Sequence, residues 1–143
     1  MRAFLPATLI VLLWSGVAAA GGTLYDRLGG KSGVETFVNR TIDLSLADVR
    51  IASTFGNTNI PRLKKLLAEQ ICQLSGGPCK YTGRTMQKSH AHLKIQSYHF
   101  NALVEDLQTA MDESHVPYAT QNELLAVLAP MQRDVTAGPA PHP

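Results

Sequence analysis

Four stretches of this chain carry apolar residues at helical spacing, and no stretch beyond the first twenty residues carries the alternation of a strand. Val34, Phe37, Val38, Thr41, Ile42 and Leu46 fall at i, i+3, i+4, i+7, i+8 and i+12. Leu63, Leu66, Leu67, Ile71 and Leu74 form a second stripe, with Arg62, Lys64, Lys65 and Glu69 assigned to the opposite side. Phe100, Leu103, Val104, Leu107 and Met111 form a third. Leu124, Leu128, Met131 and Val135 form a fourth, widened by Leu125 and Val127. Each stripe marks a helix that must bury one face. The expected class is all-α, with two antiparallel pairs packed face to face so that all four stripes are covered. The third and fourth helices are joined by about six residues, SHVPYA, which makes them antiparallel neighbours.

The punctuation fits this scheme. Gly29-Gly30 breaks the chain before the first long helix. Asn59 can cap the second, with Pro61 tolerated in its first turn. Gly76-Gly77-Pro78 stops it. Thr120-Gln-Asn-Glu123 has capping-box spacing for the last helix. Ala47–Asn57 leaves room for one or two further helical turns. The segment Tyr81–Ile95 is too polar for a buried helix and too long for a tight turn. It is expected to cover an edge of the bundle as an extended loop, with a short helix near His90.

The chain opens with Met1-Arg2, an uncharged run of 18 residues from Ala3 to Ala20, and small residues before Gly21. That order reads as a secretory signal peptide over 1–20. A membrane anchor is the alternative, and Pro6, Gly16 and the alanines make a poor one. The remainder, 21–137, is one domain in size, and the Pro-rich tail 138–143 is expected to be disordered. The compartment expected is outside the cytosol, the periplasm. Without residues 1–20, 12 Lys+Arg stand against 11 Asp+Glu. This near balance gives no case for nucleic acid and none for a polybasic membrane patch or a stable anchor after cleavage.

Cys72 and Cys79 are the two cysteines, and neither CxxC nor CxxCH occurs. In an oxidising compartment a mutual disulfide is the leading reading, worth about 2.5 kcal/mol for so short a loop. Two buried thiols remain the other.

Three of the five histidines, His90, His92 and His99, lie within Tyr81–Phe100. A histidine segment held between two long helices can supply a metal or metallocofactor ligand, and one imidazole suffices for haem iron. Spacing alone also allows purely structural histidines.

LYDRLGG (Leu24–Gly30), Phe55, GGP-x-x-YTG-x-x-M-x-x-x-H (Gly76–His90), His99-Phe100 and LAPM (Leu128–Met131) occur in an order and spacing that resemble the group-one truncated haemoglobins. The resemblance implies a two-on-two α-helical sandwich around non-covalent haem b. It implies that His90 is the proximal iron ligand and that Phe55 packs on the haem. It places Leu63, Leu67, Tyr81, Arg84, Met86, Ile95 and Phe100 in the cofactor pocket as well. His92, two residues beyond His90, points away in a helical turn. His99 reads as structural or haem-edge, His115 as a loop residue and His142 as part of the tail. Tyr81 and Arg84 are placed to donate to haem propionates, with Lys65 reaching from the second helix.

The distal side departs from the family. Where many members have a tyrosine this chain has Ile42, preceded by Thr41, and the glutamine positions hold Leu63 and Leu67. Ile71 may be counted with that face by spacing. The one polar candidate is Gln70, turned inward or left at the helix edge. An apolar pocket holds CO and NO without loss, whereas dioxygen forgoes a hydrogen bond worth roughly 0.5–1.5 kcal/mol. The expected function is therefore binding of a diatomic ligand (oxygen, NO or CO) by a haem b protein. The alternatives are an NO-detoxifying or peroxidase-like haem enzyme, a periplasmic haem electron carrier served by an unidentified electron donor, and a non-haem helical adaptor. The terminal readings have a direct check. The intact mass of exported protein should lack residues 1–20 and be two hydrogens light; two alkylatable thiols would argue against the bridge.

Overall fold

The computed structural model describes residues 21–136; the expected signal peptide 1–20 and the expected tail 138–143 lie outside them. The described residues contain helices and no strand. A short α1 (Leu24–Arg27) is followed by α2 (Gly30–Ala47), a 3₁₀ turn (Ala52–Phe55) and α3 (Ile60–Leu74). Then come a short α4 (Met86–His90), α5 (Ser97–Glu113), α6 (Tyr118–Leu128), a second 3₁₀ turn (Ala129–Met131) and α7 (Gln132–Thr136). The arrangement is a two-on-two sandwich: α2 packs on both α5 and α3, α5 also meets α6, and α4 lies against α7.

Local chemistry sets the boundaries. Thr23 caps α1 and exchanges bonds with Asp26. Gly29, at φ 90°, takes the left-handed conformation that lets α2 start directly after α1. Asn59 caps α3 by accepting from Arg62 N at 3.0 Å, with Pro61 in the first turn. The chain leaves α3 through Gly76 and Gly77, and a Cβ on Gly77 would come within 2.6 Å of Cys72 Sγ and 2.8 Å of the Tyr25 ring. Glycine is required there by close approach.

Two expectations for the last helix need correction. Thr120 is not its cap. The helix starts at Tyr118, with Pro117 O accepting from Thr120 N and Gln121 N, and Thr120 lies buried within the first turn. Pro117 presets the entry and so displaces the capping box. Nor does the fourth stripe belong to one helix. Pro130 has no N–H for the α ladder, so the chain tightens into a 3₁₀ turn before α7 resumes.

The core is built on α2. Val34, Phe37 and Val38 meet Tyr25, Leu28, Ile71, Cys72, Leu107, Ala110, Met111 and Leu124. Gln121 is buried and ties the α5–α6 turn, donating to Asp112 Oδ1 at 2.7 Å and Val116 O at 3.0 Å. Arg50 joins the end of α2 to α5 through Asp48 and Glu105. The stripes of α3 and α5 are not fully covered. Leu63, Leu66, Leu67, Phe100, Leu103 and Val104 stay half-buried, because a cavity separates these faces.

One polar pair crosses the α2–α5 contact: Ser45 Oγ donates to Asp106 Oδ2 at 2.8 Å, and both residues are buried. Burial pushes the Asp106 carboxyl above its ordinary range, and the Ser45 hydroxyl opposes the shift. The folded state therefore holds this proton more tightly than the unfolded chain. The contribution of Asp106 to stability is full below the ordinary carboxylate range and declines as pH rises through the raised value. Ser45→Ala should cost about 1.5–3 kcal/mol at neutral pH, the range for a hydrogen bond to a charged group, and less near about pH 3, where the carboxyl is neutral. Urea unfolding at the two pH values measures the difference.

Candidate functional site

The faces that α3 and α5 leave uncovered enclose a cavity of about 510 Å³. Ile42 reaches it from α2, Phe55 from the 3₁₀ turn, and Leu63, Leu67 and Gln70 from α3. Tyr81 and Arg84 line it from the connecting loop, Met86 and His90 from α4, and Ile95 and Phe100 from the entry of α5. Residues separated by nearly sixty positions in the chain thus share one apolar space, and no Asp or Glu lines it.

His90 is placed by a sequence of local ties. Cys72, at the end of α3, is bonded to Cys79 with their Cα atoms 5.7 Å apart. Tyr81 N then donates to Gln73 Oε1 at 2.6 Å, and Thr82 donates to Glu69 from its N at 3.2 Å and from its hydroxyl at 2.7 Å. The Thr82 hydroxyl holds the Glu69 carboxyl below its ordinary range. Thr85 caps α4, accepting from Lys88 N at 3.3 Å. One turn on, His90 Nδ1 lies 2.8 Å from Met86 O. A carbonyl oxygen can only accept, so Nδ1 carries the proton and Nε2 keeps its lone pair. This is the arrangement a metal-ligating imidazole requires.

The remaining histidines are placed otherwise. His92 is exposed. His99 borders the cavity, but its Nδ1 accepts from Gln96 N at 2.9 Å and caps α5. His115 sits in the α5–α6 turn at φ 56°, and His142 lies outside the described residues. Among the described residues no cluster of three His, Cys, Asp or Glu could hold a bare metal ion.

The polar groups of the cavity are mostly committed elsewhere. Thr41 Oγ1 donates to Phe37 O at 2.7 Å, which uses its only proton. Gln70 is half-buried and lines the cavity. Its Nε2 lies 3.4 Å from Met86 Sδ and 3.7 Å from Met131 Sδ, both weak acceptors. Tyr81 donates its hydroxyl to Arg84 O at 2.8 Å, so it is not a free donor at the rim; burial pushes its phenol upward. Lys65 is displaced further. It pairs with Glu69 at 3.5 Å and lines a separate groove of about 630 Å³ on the other side of α3, beside the disulfide.

Arg62 is the converse case. Assigned to the outer side of α3, it lines the cavity. Its position one turn before Leu66 carries that information, because i and i+4 share a face. Leu93, Leu103, Val104, Met131 and Val135 also line the cavity and were not singled out as site residues. Four of these belonged to the stripes read as ordinary core.

An all-α sandwich holding one imidazole over an apolar cleft defines a globin. Residues 23–137 match the family model described as bacterial-like globin. The chain is 33% identical over 122 residues to a group 1 truncated haemoglobin of Mycolicibacterium paratuberculosis, covering 85% of this chain and 90% of that one. It is 31% identical to the one from Tetrahymena pyriformis, covering 79% and 93%. The crystal structure of the Tetrahymena pyriformis protein in the Fe(III) form superposes with a TM-score of 0.77, covering 80% of this chain and 97% of that chain. The 2/2 haemoglobin of Synechococcus, solved with covalently attached haem, is 26% identical with a TM-score of 0.76, covering 80% and 98%. The chain belongs to the group 1 truncated haemoglobins, and its fold is that of a haem-binding, ligand-binding globin.

The cavity fits the group that the family implies. It presents half-buried apolar faces without protein partners, one imidazole with a free Nε2, and two guanidinium groups, Arg62 and Arg84, at its edge. His90→Ala should lose haem, or keep it only with added imidazole, whereas His92→Ala should give an unchanged absorption spectrum. An unchanged spectrum in the His90 variant would refute the assignment.

Proposed function

We propose that this chain is an exported, periplasmic haem b protein in which His90 holds the iron and an apolar distal face receives oxygen, NO or CO. The observation that carries the reading is the pairing of His90 with Met86 O on the floor of an apolar cavity. When bound, haem supplies an iron with an open coordination position for a diatomic molecule. The chain does the rest. Met86 O fixes the tautomer and rotation of His90. Phe55, Leu63, Leu67, Ile95 and Phe100 line the cavity and would bury the macrocycle and exclude water. Arg62 and Arg84, also in the lining, would pair with its anionic groups. Non-covalent attachment is supported by the mutual bond of Cys72 and Cys79, which leaves no free thiol among the described residues for a thioether to haem.

The distal face favours a binder of CO or NO over an oxygen store. Ile42, Leu63 and Leu67 offer no proton, Thr41 has given its own to Phe37 O, and Gln70 is turned toward two thioethers. Oxygen therefore leaves quickly, while CO, which needs no donor, is retained. Turnover of NO with oxygen, or of peroxide, is the enzymatic alternative and is read by supplying a reductant and following loss of NO.

The first test is the absorption spectrum of purified protein, where a Soret band that shifts on reduction and on CO addition is expected. The second places a hydroxyl in the pocket. Ile42→Tyr should slow oxygen dissociation about tenfold, the effect of one hydrogen bond near 1.4 kcal/mol, and change CO dissociation much less. Equal slowing of both gases would mean steric obstruction. Slow oxygen release in the unaltered protein would mean that another donor lines the pocket.

A further inference from the structure

The near-zero net charge of the chain conceals a separation. Residues 70–104 contain Lys80, Arg84, Lys88 and Lys94 and no acid, whereas residues 105–136 contain six acids and one cation. The ion pairs sharpen it. Among the described residues, Arg27, Lys31, Arg40, Arg50, Lys64 and Lys65 are each paired with a carboxylate, and none of them lines the cavity. Arg62, Lys80, Arg84, Lys88 and Lys94 stand in no ion pair among the described residues, and all five are exposed. Arg62 and Arg84 line the mouth of the cavity. The three lysines each adjoin a lining residue in sequence: Tyr81, Ser89, and Leu93 with Ile95. The acids beside this collar are engaged, Glu69 by Lys65 and Thr82, and Asp134 by Gln87.

Within the same segment lie two exposed apolar side chains. Leu93 is 42% exposed and Tyr98 59%, with the Tyr98 ring stacked at 4.0 Å on His99, itself at the cavity wall. An apolar centre bordered by same-sign charge is the anatomy of a transient protein interface.

We infer that the collar of Arg62, Lys80, Arg84, Lys88 and Lys94 is the docking surface for an acidic one-electron donor protein, seated over Leu93 and Tyr98 at the edge of the haem cavity. The inference rests on the reading of that cavity as a haem site. Complementary charge raises encounter rates by about 10- to 1,000-fold and does so less as salt is added. The donor would lose one electron and a bound haem iron would gain it, so the transfer would balance with no bond formed or broken. Outside the collar every described cation but Arg133 is paired and exerts little net field, so the acidic partner is drawn chiefly to this face.

The test uses the haem-loaded protein with reduced flavodoxin, an acidic flavoprotein, as the probe. Zero-length carbodiimide coupling, which joins lysine amines to carboxylates, should give cross-links at Lys80, Lys88 and Lys94 and not at Lys31 or Lys65. The association rate should fall at least about tenfold between ionic strengths of about 0.01 M and 0.15 M, as the Debye length shrinks from about 30 Å to about 8 Å. Lys88→Glu with Lys94→Glu should abolish both the cross-links and the salt dependence. The charge-matched control, Lys31→Glu with Lys65→Glu, should retain both. A salt-independent rate, cross-links on the Lys31 face, or equal loss in the control pair would each overturn the proposal. Sedimentation of the protein with phosphatidylglycerol vesicles at about 0.15 M ionic strength, abolished by the same two substitutions and without collar cross-links to flavodoxin, would assign the surface to a membrane instead. Absence of a Soret band would sink the haem reading and this proposal together; a normal Soret band with failed docking sinks only the proposal.

Discussion

The hydrogen bond from His90 Nδ1 to Met86 O at 2.8 Å is the contact on which the site depends, and it exists because α4 is a helix at all. Five residues of helix are too few to be stable alone. Thr85 caps the segment, and Glu69 and Gln73 of α3 hold the chain that leads into it. The Cys72–Cys79 bond fixes the start of that chain against the end of α3. His90 is thus presented by a short element pinned to the opposite wall of its own cavity. A change in Glu69 or the disulfide would act on His90 through backbone position without touching it.

The cavity itself is a consequence of sharing. α2 satisfies its buried face by packing on both α3 and α5, and that division holds the two partners apart. Leu63, Leu66 and Leu67 on one side and Phe100, Leu103 and Val104 on the other consequently face space, not protein. Apolar surface left uncovered costs roughly 25 cal/mol per Å², so a flat apolar group that fills the cleft stabilises the fold while it gains its site. The apolar character that makes the cleft a good cofactor pocket also strips it of donors. Thr41 and Gln70 bond within the protein and leave the distal face to Ile42, Leu63 and Leu67.

Much of this was legible in the chain. The stripes at 34–46, 63–74 and 100–111 became α2, α3 and α5, because an amphipathic period dictates which face is buried whatever lies opposite. Asn59 and the glycines at 29–30 and 76–77 act locally, so their roles could be read from neighbours alone. Local rules failed where two of them competed. Pro117 set the start of α6 ahead of Thr120, and Pro130 divided the last stripe between two elements.

The sequence by itself determined the helical class, the capping of α3, the family resemblance and the choice of His90 over His92, since periodicity, backbone preference and ordered motifs depend on residue identity along one dimension. Only the tertiary structure decided which apolar residues are core and which are cavity wall. Leu66 and Leu103 look the same in sequence as Val38 and Met111, and the difference is whether another helix stands opposite. It also placed Lys65 on the other groove and Arg62 on the cavity. It turned Gln70 toward Met86 and Met131, sixteen and sixty-one residues distant. And it separated paired cations from unpaired ones, because an ion pair between Arg27 and Glu123 or Arg40 and Glu113 is a fact of distance in space, which net charge cannot express.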